Sequence, residues 1–258
     1  MNIFDVHARL APGPRAAARL VDAFDRCGIG QAALAAGGIL RPEVLSRQIV
    51  DGTYTTADPD NDAVLAICAG SAGRFLPWYF ANPHRPVAEY RDRAAQFRAL
   101  EISPAVHGVP LTDPRVAAMV EVAAAAGHPV YVACLVRAGC DVADLVRLAN
   151  SYLTTTFVLG HAGATTLDYR AVELIAPHPN VLFEASGGYT GVLRAALDQL
   201  GAGRVLFGSE YPIQHIEVEL TKFDVLGLAE DDWAQVAWHN ARRILGEEKE
   251  SDRNDRLA

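Results

Sequence analysis

The sequence has few cysteines and no long apolar run. Its 258 residues include four cysteines, and no two of them form a CxxC pair: Cys27, Cys68, Cys134 and Cys140. Such sparse cysteines argue against a disulfide framework and against a zinc ribbon. No apolar stretch approaches the roughly 18 residues of a membrane-spanning helix, and a strand pattern starts directly at the N-terminus, so no signal peptide is expected. We therefore expect a reduced, soluble, cytoplasmic protein without a membrane partner.

Basic residues are also in short supply. The 23 lysines and arginines are outnumbered by 31 acidic residues, which gives a formal net charge of −8. This balance argues against nucleic acid as the main partner, because phosphate binding needs a basic surface. A small-molecule substrate is the expected partner, and 50% hydrophobic residues suffice for one sizeable core.

Strand and helix patterns alternate along the whole chain without a linker or repeat. The predicted strands are 3–7, 32–36, 76–81, 100–103, 130–134, 156–159, 181–184 and 204–207. The predicted helices are 15–27, 42–50, 61–71, 87–97, 115–126, 141–152, 167–176, 191–200 and 231–245. A doubly wound sheet could use the same alternation with fewer strands, so the count favours one α/β domain, a (β/α)8 barrel over 1–246 with an extra C-terminal helix. Residues 247–258 are predicted to be a disordered charged tail.

The first strand carries the strongest local signal. In a (β/α)8 barrel the reacting groups lie at the carboxyl ends of the strands. Asp5, His7 and Arg9 alternate there, so a period of two predicts that all three point to one side. An imidazole can bind a metal or carry a proton, and a nearby carboxylate fixes its tautomer. The alternative for His7 is a core histidine bonded to a backbone carbonyl.

Two further candidates follow the sixth and eighth strands. His161 lies between glycines in a tight turn, which suits a general acid or base, although a turn histidine without a role is the alternative. Glu210 could bind a metal, act as a base or form an ion pair, for which Arg9 is the obvious partner.

The remaining candidates are expected to contact the substrate. Cys134 ends the fifth strand, where a thiolate could attack a substrate or bind a metal, but an inert buried thiol is the more common state. His107 lies in the loop after the fourth strand. The candidate substrate-binding set is Arg9, Asp5, His107, Cys134 and Tyr211.

Motifs spread from the first strand to the last helix share one resemblance. They are FDVHAR at 4–9, NP at 82–83, VHG at 106–108, TDPR at 112–115, GHPV at 127–130, LGHAG at 159–163, RVLFGSEYP at 204–212 and NARRIL at 240–245. Together they are similar to the amidohydrolase-2 family, the metal-dependent barrel enzymes that include aminocarboxymuconate-semialdehyde decarboxylase. The resemblance implies a hydrolase or a carbon–carbon lyase such as a decarboxylase, and a homodimer would suit the family.

The resemblance also implies a divalent metal, and here the sequence departs from the family. The family binds its ion with both histidines of a DxHxH motif, a histidine ending strand five and the aspartate after FGS. At these positions the chain has His7, Arg9, Ala133 and Glu210. Two ligands rarely hold a catalytic zinc, and a guanidinium adds repulsion. A site without metal and an altered, zinc-like site built from His7, Glu210 and His161 both stay open, and Cys134 could complete the latter.

Two functional hypotheses follow. In the first, the chain is an amidohydrolase-2-type enzyme acting on a small carboxylated or carbonyl substrate. His161 and Glu210 would share acid and base work, His7 would position or protonate, and Arg9 would hold a carboxylate or an oxyanion. In the second, the barrel has lost catalysis and binds a ligand or partner. Substrate identity stays open in both.

Overall fold

The computed structural model describes residues 2–247, and eight strands form one parallel sheet in chain order. The strands are β1 (Ile3–Leu10), β2 (Ile29–Ala36), β3 (Phe75–Phe80), β4 (Ala99–Ile102), β5 (Val130–Val132), β6 (Phe157–Leu159), β7 (Val181–Glu184) and β8 (Val205–Leu206). The predicted (β/α)8 barrel is confirmed. β1 is longer than predicted and β5 is shorter, so that Arg9 lies within a strand and Cys134 lies after one.

Helices connect the strands and extend beyond the last one. They are α1 (Ala16–Cys27), α2 (Pro42–Asp51), α3 (Asn61–Ala69), α4 (Val87–Arg93), α5 (Pro104–His107), α6 (Pro114–Ala126), α7 (Val142–Asn150), α8 (Tyr169–Ile175), α9 (Thr190–Leu200), α10 (Ile216–Leu226), α11 (Glu230–Ala234) and α12 (Asn240–Ile244). A π-helical stretch, Gln235–His239, joins the last two and completes the predicted C-terminal helix. The predicted charged tail lies outside the described residues, apart from Glu247.

The start of α6 shows why these elements form where they do. The Asp113 side chain accepts a hydrogen bond from the Arg115 backbone N–H, and Pro114 occupies the first helical turn. Proline suits this position because the N–H that it lacks would have no partner there. The helix ends at Gly127, whose φ of 70° is left-handed.

The barrel closes between β1 and the chain that follows β8. The Val6 N–H donates to the carbonyl of Phe207 over 2.9 Å, and the Glu210 N–H donates to the carbonyl of His7 over 2.9 Å. The Arg9 N–H donates to the carbonyl of Tyr211 over 2.8 Å. This seam places Glu210 beside the two polar residues at the end of β1.

The hydrophobic core has two layers. The inner layer fills the barrel with Phe4, Val6, Trp78, Tyr131, Val158 and Leu206 among others, and Ala241 and Leu245 from the C-terminal helices pack against it. The outer layer lies between the strands and the surrounding helices. Among residues 2–247, no helix has both the length and the apolar character needed to cross a bilayer.

A bulge in β1 changes the faces of its polar residues. Asp5 pairs with Ala32 but Ala8 pairs with Leu34, so β1 has one extra residue between them. Ala32 and Leu34 belong to the outer layer, whereas Ala35, the partner of Arg9, belongs to the inner one. The prediction that Asp5 shares a face with His7 and Arg9 is therefore wrong, because the bulge breaks the period of two. His7 and Arg9 point into the barrel, and Asp5 points away from it.

Candidate active site

Polar side chains from several strands meet at the carboxyl end of the barrel. They are His7 and Arg9 of β1, Glu101 of β4, Tyr131 of β5, His161 after β6, Glu184 of β7 and Glu210 after β8. Arg9, His161 and Glu210 line a cavity of about 480 Å³. The three thus lie where a (β/α)8 barrel holds its reacting groups.

Arg9 joins two buried carboxylates. Its Nη2 donates to Oε1 of Glu101 over 2.7 Å, and its Nε donates to Oε1 of Glu210 over 2.5 Å. Burial on its own would raise the pKa of both carboxyls. The charge of Arg9, together with that of the neighbouring imidazoles, outweighs burial, so the pKa of Glu101 is lowered and the pKa of Glu210 is held well below its usual range. Both groups are therefore carboxylates at neutral pH.

His7 lies between the same two carboxylates. Its Nδ1 is 2.6 Å from Oε2 of Glu210, a close contact that is not aligned as a hydrogen bond. Its Nε2 is 3.4 Å from Oε2 of Glu101. Burial lowers the pKa of the imidazole. The two carboxylates, Glu210 above all, have the larger combined effect and raise this pKa from 6.5 to about 9. Arg9, His7, Glu101 and Glu210, called the charge cluster below, therefore carry two positive and two negative charges at neutral pH.

Asp5 and Ser209 hold the seam that positions Glu210. Oδ1 of Asp5 accepts the Ser209 N–H over 3.0 Å and the His7 N–H over 3.1 Å, and Oδ2 accepts the Ser209 hydroxyl. Burial raises the pKa of Asp5 to about 7 against these hydrogen bonds. Glu210 itself has a φ of 53°, a left-handed conformation that is uncommon for a residue with a side chain. The Asp5 contacts secure this strained turn and aim the carboxylate at β1.

His161 faces the charge cluster from the opposite side. Its Nε2 is 3.9 Å from Oε2 of Glu210 and 3.4 Å from the Tyr131 hydroxyl. Its Nδ1 is 3.1 Å from the Ser186 hydroxyl, and its backbone N–H donates to Glu184 over 2.9 Å. The side chain keeps 29% of its surface exposed, whereas that of His7 is fully buried, so His161 is the imidazole that a substrate can reach.

The cavity wall above these groups is mainly apolar. It includes Ile39, Leu40, Leu45, Ile49, Phe80, Val106, Leu135 and Ile213. The polar side chains in the wall come from Ser103, Thr165 and Thr166 in addition to the groups at its floor. Such a pocket suits a small molecule with an apolar body and a few polar atoms that fix its orientation.

The structure places the other predicted residues differently. Cys134 lines the cavity, but burial raises the pKa of its thiol well above the usual value, so it is the inert form of cysteine. Asp5 points away, as described above. His107 is buried and its Nε2 contacts the carbonyl of Ala57 at 3.1 Å. Tyr211 packs near Phe24 on the outer side of the seam. The latter three are not among the residues that line the cavity.

Three residues at the site, Glu101, Tyr131 and Glu184, were not predicted from the sequence. Each lies inside or at the end of a short apolar strand, so its motif gives no local signal. The two glutamates could have been found because each lies within an otherwise apolar predicted strand. A carboxylate buried in a barrel strand needs a partner, because an unpaired buried charge is costly. Arg9 is the partner of Glu101, and Tyr131 is one partner of Glu184.

The residues present do not fit the metal site of the resemblance. Donor atoms of His7, His161 and Glu210 all lie within 4.8 Å of one another, which is a group of three that could hold an ion. However, Arg9 takes up one oxygen of Glu210, and a guanidinium this close repels a divalent cation. Ala133 offers no donor atom, and the Cys134 thiol stays protonated. The charges and the donor atoms at this position therefore disfavour a divalent ion.

A comparison with known protein families identifies the family of the chain. The model of the amidohydrolase family named Amidohydro_2 matches residues 4–246. The chain therefore belongs to this amidohydrolase family. Among curated proteins, no sequence matches the chain significantly.

Solved structures show the same fold at low identity. One is 5-carboxyvanillate decarboxylase from Novosphingobium aromaticivorans with manganese and a nitrobenzoic acid, at 18% identity and a TM-score of 0.71, covering 95% of this chain and 96% of that one. Another is 2,6-dihydroxybenzoate decarboxylase from Rhizobium, at 16% identity and a TM-score of 0.66, covering 95% and 98%. A candidate 2-pyrone-4,6-dicarboxylic acid hydrolase from Pseudomonas putida has 18% identity and a TM-score of 0.70, covering 96% and 98%.

Proposed function

We propose that this amidohydrolase is a hydrolase or decarboxylase that acts on a small carboxylated or carbonyl substrate without a tightly bound metal ion. His161 carries the proton, and the charge cluster supplies the electrostatic stabilisation that a divalent ion supplies elsewhere in the family. The observation that carries the proposal is the position of Arg9 between Glu101 and Glu210.

The charge balance supports this proposal. The two carboxylates of the charge cluster are neutralised by one guanidinium and one imidazolium, so the cluster needs no added cation. A divalent ion bound to Glu210 would lie beside both Arg9 and His7. Its binding would require the loss of the His7 proton and would face the fixed charge of Arg9. Zinc is therefore expected to bind weakly here.

His161 and Glu210 have different roles in the proposed reaction. The pKa of Glu210 is held well below its usual range, so this group is a poor proton donor at neutral pH. Its Oε2, 3.9 Å from Nε2 of His161, is placed to stabilise an imidazolium that forms during the reaction. His161 is thus the proton carrier, and Glu210 supplies the compensating charge.

Arg9 is placed to orient the substrate. Among the described residues that line the cavity, it is the only lysine or arginine. Its Nη1 has only two contacts, both of 3.4 Å, to Glu101 and the Ala36 carbonyl. This amino group is held less tightly than Nε or Nη2, and it can offer a donor to a substrate carboxylate or carbonyl oxygen.

The same arrangement serves two reactions. In a decarboxylation, the bond to the carboxylate carbon breaks, its electron pair stays on the substrate carbon, and protonated His161 delivers a proton there. In a hydrolysis, neutral His161 takes a proton from water while the water oxygen attacks a carbonyl carbon, and it returns the proton to the leaving group. Both leave Arg9 and Glu210 unchanged in charge.

A substrate screen with a histidine variant tests the proposal. Purified protein is incubated with a panel of small aromatic and aliphatic carboxylates, esters and lactones, and carbon dioxide and hydrolysis products are measured. We expect His161→Ala to lower kcat by about 10²–10⁴-fold on any substrate found. The matched control is His215→Ala, which removes an exposed imidazole that contacts Glu217. Turnover that His161→Ala leaves unchanged would contradict the assigned role, and saturable binding without turnover would favour a ligand-binding barrel.

A further inference from the structure

Glu184, the last residue of β7, accepts hydrogen bonds from four donors. Its Oε1 accepts the Ser186 N–H over 2.7 Å. Its Oε2 accepts the His161 N–H over 2.9 Å, the Tyr131 hydroxyl over 2.8 Å and the Ser186 hydroxyl over 2.9 Å. The side chain is fully buried, and a buried carboxylate with this many donors is an acceptor throughout.

Two glycines make the space for this arrangement. A Cβ atom on Gly208 would lie 2.5 Å from Oε1 of Glu184. A Cβ atom on Gly160 would lie 2.3 Å from the Tyr131 hydroxyl. Real Cβ atoms do not approach other atoms this closely. Glycine at position 208 therefore leaves room for the Glu184 carboxylate, and glycine at position 160 leaves room for its partner Tyr131.

The hydroxyl protons determine which nitrogen of His161 is protonated. Ser186 has one hydroxyl proton and gives it to Glu184, so its oxygen can only accept from Nδ1 of His161, 3.1 Å away. Nδ1 therefore carries a proton. Tyr131 likewise gives its proton to Glu184, so it has none to offer to Nε2, 3.4 Å away. In the neutral ring, Nε2 is the unprotonated nitrogen, and it lies on the side of Glu210.

We propose that Glu184 is a positioning residue that holds His161 in its Nδ1–H tautomer through Ser186 and leaves Nε2 as the nitrogen that takes up and returns the proton. Glu184 is not among the residues that line the cavity, so it acts through His161 and not on the substrate. The inference rests on the proposed function in one respect, the role of His161 as proton carrier. The tautomer itself can be measured without a substrate.

The test is the long-range ¹H–¹⁵N NMR spectrum of the histidine rings in the full-length protein, recorded in a pH series up to the alkaline end, where the neutral ring is observed. The signals of His161 are assigned by their loss in His161→Ala. We expect the Nδ1–H pattern in the unmodified protein. We expect its loss in favour of Nε2–H in Ser186→Ala, because Nδ1–H then has no acceptor while Nε2–H can donate toward Glu210.

Three further variants make the test specific. Ser186→Thr keeps a hydroxyl and is expected to keep the Nδ1–H pattern. Tyr131→Phe leaves the Ser186–Glu184 pair intact and is also expected to keep it. Glu184→Ala leaves Nδ1 as the remaining partner of the Ser186 hydroxyl, so the ring should change to Nε2–H. If Glu184→Ala does not fold, Ser186→Ala decides alone, since it removes a single oxygen atom.

The outcomes separate this inference from the proposed function. An Nε2–H ring in the unmodified protein, a ring that stays doubly protonated throughout the series, or an Nδ1–H pattern that survives Ser186→Ala would overturn the positioning role. None of these results depends on turnover. A missing substrate would leave the NMR result standing, and a failed tautomer prediction would leave the substrate screen standing.

Discussion

At residue 9, the family motif has a histidine and this chain has an arginine with a permanent charge. A histidine there would donate an electron pair to an ion, whereas the guanidinium donates protons to Glu101 and Glu210. Removing this side chain leaves two buried carboxylates without their main partner. Charges in that state are strongly destabilising, so the effect on folding should be large.

We predict that Arg9→Ala lowers the free energy of unfolding by about 3–5 kcal/mol. Arg9→Lys should recover only part of this loss, since one ammonium group cannot form the same fork to two carboxylates. Urea denaturation followed by circular dichroism measures both. The control is Arg85→Ala, which breaks a half-exposed pair with Asp58 and should change the free energy of unfolding far less, because water screens an exposed ion pair. Equal losses in Arg9→Ala and Arg85→Ala would contradict the charge cluster.

The protonation of His7 predicts a loss of stability at alkaline pH. Its pKa rises from 6.5 to about 9 on folding, so the folded state binds the proton more tightly than the unfolded state does. The stabilisation is complete below pH about 6.5 and is lost as the pH rises through about 9, on the order of 3 kcal/mol in total. Urea denaturation between these limits should show this fall in the unmodified protein.

His7→Gln is the control for that pH dependence. Asp5, whose pKa is raised to about 7, adds its own fall in stability with rising pH in both proteins. The difference between the two curves therefore isolates His7. A difference that stays constant across this pH range would show that folding does not raise the pKa of His7.

At the scale of secondary-structure elements, the site depends on how close the strand ends approach one another. β5 and the turn after β6 pack so tightly that only glycine fits at position 160, beside the Tyr131 hydroxyl. Tyr131 in turn stacks on His7, with ring centroids 4.0 Å apart. One added methyl group should therefore disturb both imidazoles at once.

We predict that Gly160→Ala destabilises the protein by about 1–3 kcal/mol through overpacking. It should also displace the Tyr131 ring from His7 and His161, and so change the histidine ring signals in NMR spectra. Gly203→Ala is the matched control, because a Cβ atom there has no neighbour within 4 Å. Unchanged stability and unchanged ring signals in Gly160→Ala would show that the turn can relax and that the close packing is not required.

The sequence predicted the elements better than the faces of their side chains. Eight strands, the turn that exposes His161 and the ion pair of Arg9 with Glu210 all follow from period, turn residues and charge. The bulge between Asp5 and Ala8 could not be predicted, because it depends on how β1 pairs with β2 and not on β1 alone. Glu101 and Glu184 were missed for a similar reason, since Arg9, the partner of Glu101, and Tyr131, one partner of Glu184, lie far away in the chain.

At the scale of the whole molecule, the barrel has the fold of its family, but the polar residues at the floor of its cavity differ from the family motif. The family model covers residues 4–246, and the seam between β1 and the chain after β8 is in place. We propose that what differs is the source of positive charge at that floor, which here comes from the side chains of Arg9 and His7. The fold can thus be kept while the charged side chains at the site change, as expected when function depends on the residues at the strand ends of a barrel. The expected homodimer stays a prediction.

The metal content of the protein is the most direct test of this account. Protein purified without chelator is analysed for zinc, manganese and iron by mass spectrometry, before and after incubation with each ion. Arg9→His serves as the positive control, because it restores a second histidine and removes the repelling charge, and it should bind an ion on the order of tenfold more tightly. We predict less than about 0.1 equivalent of any of these metals in the unmodified protein, with no uptake on incubation. About one equivalent, retained through purification and lost in His7→Gln, would contradict the replacement of the metal by Arg9.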